Sequence, residues 1–185
     1  MWWLESARLA RLSAALAVAA LAAGCFQPLY GDRTATVTGS DVGNRLAAVE
    51  VSPISAPDGS RIARVANEVR DDLLFRLTGG GPALPPTHRL DIRMSATQLQ
   101  VIVDVNSARP EVQNYGINAT YTLVDLATNR PVITGQTFSR VSYNIPGQQQ
   151  RFAGQRGQRD AENRAAKVIA DNIHSRLASF FVAGT

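Results

Sequence analysis

The residues of this chain with the most reactive side chains are one cysteine, two histidines and a large set of arginines. Cys25 is the only thiol, so no disulfide can form within the chain, and its thiolate is an effective nucleophile. His88 and His174 stand far apart, with no HExxH and no CxxC, so the usual zinc arrangements have no ligands and no cofactor is expected. No G-x-S-x-G occurs. Gly79-Gly80-Gly81 lacks the Lys-Ser/Thr of a phosphate loop and reads as a helix stop followed by a loop. Asp71 and Asp72 are adjacent, and on a helix they point about 100° apart, which suits a solvated face better than a shared ligand. Arg151, Arg156 and Arg159 form the most basic local stretch: a polar connection before a helix, or a contact for an anion. Tyr115 and Tyr121 lie on the inward phase of a strand and are read as core.

The position of Cys25 gives its thiol a use. Arg8 and Arg11 precede a run from Leu12 to Ala23 whose only polar residue is Ser13, and the run ends in small residues and Gly24. A basic start, a short apolar segment and a small-residue exit make a secretory signal peptide. Twelve helical residues span about 18 Å, short of a bilayer core of about 30 Å. The arginines are not adjacent, against a twin-arginine signal. Leu21-Ala22-Ala23-Gly24-Cys25 resembles a bacterial lipobox, with Ala22 where leucine is commonest. That resemblance implies cleavage between Gly24 and Cys25, a diacylglyceryl thioether on Cys25 and an acylated amine. Three acyl chains, at about 0.8 kcal/mol per buried CH2, hold such a protein on a membrane.

Removing residues 1–24 takes away Arg8, Arg11 and Glu5, so the full-length charge of +4 becomes +3 on 161 residues. That length suits one domain with a proper core. No run of five like charges occurs. Arginine outnumbers lysine 18 to 1, as a GC-rich coding bias produces and as bidentate phosphate contacts favour. The export signal argues against nucleic acid as a partner.

Residues 25–45 read as the lipidated N-terminus and a tether rich in Thr, Asp, Gly and Ser, and 46–185 as a single domain. Leu46 to Val51 reads as the first strand. Asp58 is the expected N-cap of a helix reaching Thr78, with Ile62, Val65, Ala66, Val69, Leu73 and Leu77 on one face and Gly79 at its end. Leu90, Ile92, Met94 and Ala96 alternate with polar residues, then Leu99, Val101, Val103 and Val105 take the opposite parity, which predicts a bulge near Thr97-Gln98. Tyr115 to Leu123 and Val132 to Tyr143 follow as strands, separated by a turn containing Asn129. A terminal helix is expected from about Asp160 to Phe181, its stripe formed by Ala161, Ala165, Val168, Ile169, Ile173, Leu177 and Phe180, with Glu162, Lys167, Asp171 and Arg176 opposite. The expected fold is α+β: a two-layer sandwich in β-α-β-β-β-α order, a roughly four-stranded sheet with both helices on one face, and strands one and two paired in parallel.

With its order of elements, the chain resembles the LptE family of lipopolysaccharide-assembly lipoproteins. The likeness rests on the lipobox followed by Phe26-Gln27-Pro28-Leu29-Tyr30-Gly31, and on the end: Tyr143-Asn144, Phe152-Ala153, Asp160-Ala161, Arg164-Ala165, Leu177 and Phe180-Phe181. Gly154 and Gly157 depart from it, where a relative is already helical. The resemblance implies an outer-membrane, periplasm-facing lipoprotein, not an enzyme, that plugs and helps assemble the lipopolysaccharide-exporting β-barrel LptD and contacts lipopolysaccharide in transit. Phe26 after the lipidated cysteine suits outer-membrane sorting. Arginine binds phosphate through directional, charge-assisted hydrogen bonds. On that basis Arg89, Arg93 and Arg140, at outer strand positions, and Arg151, in the loop after the sheet, are the candidate lipopolysaccharide contacts. The competing readings are an adaptor or pilotin-like lipoprotein of another envelope complex, and an enzyme whose site is too scattered to see.

Overall fold

The computed structural model describes residues 39–103, 110–145 and 151–183. The signal segment, Cys25 and Phe26 lie outside them, as does most of the proposed tether.

Among the described residues the order is α1 (Gly39–Ala47), β1 (Val49–Val51), α2 (Arg61–Thr78), β2 (His88–Val103), β3 (Pro110–Asp125), β4 (Arg130–Asn144) and α3 (Arg151–Ala183). The strands form one four-stranded sheet in the order β1-β2-β3-β4. β1 runs parallel to β2, with Val51 opposite Leu90, and the other pairs are antiparallel. This is the expected α+β architecture. Leu90, Ile92, Ile117, Tyr121, Leu123 and Ile133 point to one face, where Val69, Leu73, Ile169, Ile173 and Leu177 of the two long helices cover them. The other face has no helix on it among the described residues: Arg93, Ser95, Asn118, Thr120, Gln136 and Arg140 are exposed. An antiparallel sheet tolerates this when its second face is polar.

Helix α2 begins at Ser60, not Asp58. The Ser60 hydroxyl accepts the Ala63 N–H at 3.2 Å, as an N-cap should. It ends at Gly79, whose φ of 62° is the left-handed value that stops a helix cheaply only at glycine. Val65, Ala66, Val69, Leu73 and Leu77 are all buried, while Ile62 is only half-buried.

Four expectations need correction. The first strand is only Val49–Val51; Leu46 belongs to α1, where it and Val42, one helical turn apart, both reach the core. The packed unit accordingly starts at Asp41. The break in β2 is not at Thr97-Gln98. Pairing with β3 is continuous from His88 to Gln100, and the register shifts only between Gln100, Ile102 and Val103. The unbroken alternation of β3 holds the parity, Gln98 stays in phase with Tyr115 and donates to the Tyr143 hydroxyl at 3.0 Å, and Leu99 is left 57 % exposed. The terminal helix starts at Arg151, because Gly154 and Gly157 are accommodated in it; at Gly157 it passes the end of β4, where a Cβ would stand 3.6 Å from the Asn144 carbonyl. Finally, its buried stripe includes Phe181, Ala166 and Ala170, while Val168 is exposed and Phe180 only partly covered. Glu162, expected on the outer face, is buried. The turn before β4 behaves as expected, with Asn129 at φ 52° and the Asp125 carboxylate accepting the Ala127 and Thr128 N–H groups.

Candidate functional site

The strand alternation that buries Leu90 and Ile92 sends Arg89, Asp91 and Arg93 to the outer face. In β4 the same alternation puts Ile133, Ser139 and Tyr143 inward and Gln136, Phe138 and Arg140 outward. Three of the four candidate arginines therefore share the bare face. They are not equivalent. Arg89 Nε lies 3.3 Å from the Asp91 carboxylate and stands beside Glu50 of β1, so its charge is compensated. Arg93 and Arg140 are exposed and form no ion pair among the described residues. Through Thr120, Arg93 is in register with Gln136, four residues from Arg140 and two strands away. At about 3.3 Å per residue and 4.8 Å per strand, the two Cα atoms are roughly 16 Å apart. They cannot chelate one phosphate; they can meet separate anionic groups of one extended ligand. Between them, Phe138 stands 71 % exposed, opposite Asn118. Arg151, expected in a loop, is the first residue of α3.

A second basic feature was not visible in sequence. The start of α2 and the first half of α3 form a cleft of about 620 Å³ lined by Ser60, Arg61, Arg64, Gln158, Arg159 and Glu162. Arg64 is ion-paired with the buried Glu162 and also donates to the Asn163 side chain at 3.0 Å, while Gln158 donates to Glu162 at 3.0 Å. Of the sequence cluster, Arg156 and Arg159 project from the same stretch of helix, and only Arg159 reaches this cleft. Glu162 carried one usable signal: it falls beside Ala161 and Ala165 on a helix whose carboxylates otherwise face outward.

The remaining titratable groups are structural. Tyr115 is core, its hydroxyl is buried without a partner among the described residues, and its pKa is pushed up to about 12, by burial first and the nearby Glu162 second. His88 opens β2 edge-on to Phe181, and burial, with Arg45, lowers its pKa against the pull of Asp125. His174 is buried; burial and then Arg76 lower its pKa, with Asp171 opposing. Asp72 and Asp171 both bind Arg76 at 2.9 Å, tying α2 to α3, while Asp71 is exposed. Among the described residues no group of three His, Cys, Asp or Glu side chains converges as a metal site would require, and no helix is long and apolar enough to cross a membrane.

Residues 46–177 match the LptE family, described as lipopolysaccharide-assembly. The chain belongs to that family. No curated protein matches it in sequence. The fold resembles that of a crystal structure described as a lipoprotein of Caulobacter crescentus CB15, at 20 % identity and a TM-score of 0.60 over 79 % of this chain and 98 % of that one. It also resembles rare lipoprotein B of Shewanella oneidensis, at 14 % identity and a TM-score of 0.53 over 73 % and 96 %. At these identities the likeness is one of fold.

Proposed function

We propose that this chain is a lipid-anchored outer-membrane lipoprotein that plugs and helps assemble the lipopolysaccharide-exporting β-barrel, an LptD-like partner, and contacts lipopolysaccharide on its way to the surface. Membership of the lipopolysaccharide-assembly family carries the reading. The geometry supports a binding role: Glu162, the carboxylate of the cleft between α2 and α3, is engaged by Arg64, while Arg93 and Arg140 on the sheet face form no ion pair among the described residues. Arg93 and Arg140 are the preferred contacts for anionic lipid A or core-sugar groups, since arginine–phosphate hydrogen bonds are strong and directional. Arg89 contributes less, because Asp91 already compensates it, and Arg151 remains a candidate at the start of α3.

Affinity purification from an outer-membrane detergent extract tests the partner. Recovery of the barrel, and loss of surface lipopolysaccharide on depletion, is the expected result; if either fails, the assembly role is wrong. The double variant Arg93→Glu/Arg140→Glu tests the ligand surface separately. If the barrel still co-purifies while lipopolysaccharide binding by the purified variant is unchanged, the plug role stands and the choice of arginines fails.

A further inference from the structure

The sheet ends in two very different edges. β1 presents three residues, whereas β4 is 15 residues long and pairs on one side only, with β3. From Ile133 to Asn144 that pairing is unbroken, so no bulge interrupts the strand there. Among the described residues no backbone hydrogen bond reaches β4 from any other element. Edge strands are normally blunted by charge, proline or bulges. Here Pro131 and the irregularity beside it protect only the beginning.

The edge also borders a cleft. Val132, Ile133 and Thr134 of β4 and Arg176 and Phe180 of α3 line a space of about 490 Å³. Beside it Tyr121, opposite Gly135, lays its ring across the glycine: a Cβ there would stand 2.6 Å from the ring's Cζ and hydroxyl oxygen. Only glycine leaves room for that ring to reach toward the edge. The Arg176 charge is near enough to act on the Tyr121 hydroxyl, opposing the effect of burial. Further along, Asn172 donates to Thr137 at 2.9 Å, which holds α3 alongside the strand. An edge strand flanked by a helix, with a pocket between them, is the geometry in which proteins capture an extended peptide: the main chain supplies affinity and the pocket reads alternate side chains.

We propose that the outer edge of β4 receives an extended segment of a partner polypeptide as a fifth strand, with an apolar side chain against Phe180 and Ile133 and a carboxylate on Arg176. Charge selects an acidic partner over a second copy of this chain. β4 carries Arg130 and Arg140 and no acidic residue, and the cleft adds Arg176, so two β4 edges would bring like charges together. The cleft residues, Ile133, Arg176 and Phe180, are not among the proposed lipopolysaccharide contacts, so failure of this site would leave the preceding reading intact.

The test uses the purified full-length protein in detergent micelles and two fluorescein-labelled octapeptides of alternating valine and threonine, one with two glutamates and one with lysines in their place. Anisotropy should show saturable binding of the acidic peptide and binding weaker by about tenfold or more for the basic one, since a charge-assisted contact is lost and a repulsion gained. Arg176→Glu, on an exposed side chain, should weaken the acidic peptide by a similar factor without changing Tm. Backbone amide shifts should fall at residues 132–138 of β4 and along the adjoining face of α3. Equal binding of the two peptides, no saturation at millimolar concentration, or shifts centred on Arg93 would each overturn the proposal. A concentration-dependent dimer that broadens the β4 amides and excludes the peptide would overturn it in favour of a second copy.

Discussion

The ion pair between Arg64 and Glu162 should be strongly asymmetric, because the two ends sit in different media. The Arg64 side chain is 38 % exposed and the Glu162 side chain 3 %. Replacing Arg64 with Met leaves a buried carboxylate with Gln158 as its remaining hydrogen-bond donor. Stranding a buried charge costs about 3–5 kcal/mol, and water entering where the half-exposed guanidinium stood places this case near the lower figure, about 3 kcal/mol. Glu162→Gln instead leaves Arg64 a neutral acceptor and access to solvent, at a cost of about 1 kcal/mol, that of one hydrogen bond. Arg64→Met/Glu162→Leu should recover part of the loss, because it removes the stranded charge and fills the site with apolar volume. Urea unfolding reads all three, with the Arg64→Met midpoint falling by about 1.5 M for a slope of about 2 kcal/mol/M. Ultraviolet titration adds an independent check. Glu162 is the second cause of the raised Tyr115 pKa, so Glu162→Gln should move that phenol down from about 12. Equal costs for Arg64→Met and Glu162→Gln, or an Arg64→Met cost under about 0.5 kcal/mol, would refute the burial argument.

Other outcomes follow from the same packing. Gly135→Ala must displace the Tyr121 ring, which stands 2.6 Å from the new Cβ; thermal unfolding should show a loss of about 1–3 kcal/mol, and an unchanged Tm would mean the ring moves freely. His88 and His174 both have lowered pKa values in the fold, so below about pH 6.5 the unfolded chain binds more protons. Stability should therefore fall as pH drops from 7 to 5, and His174→Gln should flatten that limb in urea titrations at fixed pH; an identical slope would remove His174 from the account. For Cys25 we expect mass spectrometry of membrane-extracted protein to find a mature chain beginning at the acylated cysteine, and Cys25→Ala to accumulate precursor; an unmodified N-terminus would refute lipidation.

What the sequence made legible was whatever depends on a repeating period. The steps of three and four from Val65 to Leu77 identify the buried face of α2, and the alternation from Tyr115 to Leu123 identifies that of β3, because each residue's orientation follows from its own element. For the same reason the outward positions of Arg89, Arg93 and Arg140 were readable. Features created where two elements meet were not. Glu162 looks like a solvent-facing acid until α2 supplies Arg64. Thr97-Gln98 looks like a phase break until β3 imposes its register. Gly154 and Gly157 argue against helix locally, yet the chain from Arg151 onward is helical, as tertiary context overrides weak propensity. Val42 and Leu46 offered only one apolar pair, too short a signal to announce α1.

The bare sheet face and the open edge of β4 make different physical demands on a partner. The face consists mainly of Ser, Thr and Asn side chains, already hydrated and stable without cover, so a partner there gains from burial chiefly at Phe138 and Leu99 and must otherwise act through its charges on Arg93 and Arg140. Such contacts are weakened by salt, because they are exposed. The edge differs: its backbone groups have fixed direction and spacing, so it selects for an extended conformation, and Arg176 with Phe180 selects among the side chains presented. Salt should therefore separate the two surfaces, weakening lipopolysaccharide contact at the face more steeply than strand addition at the edge.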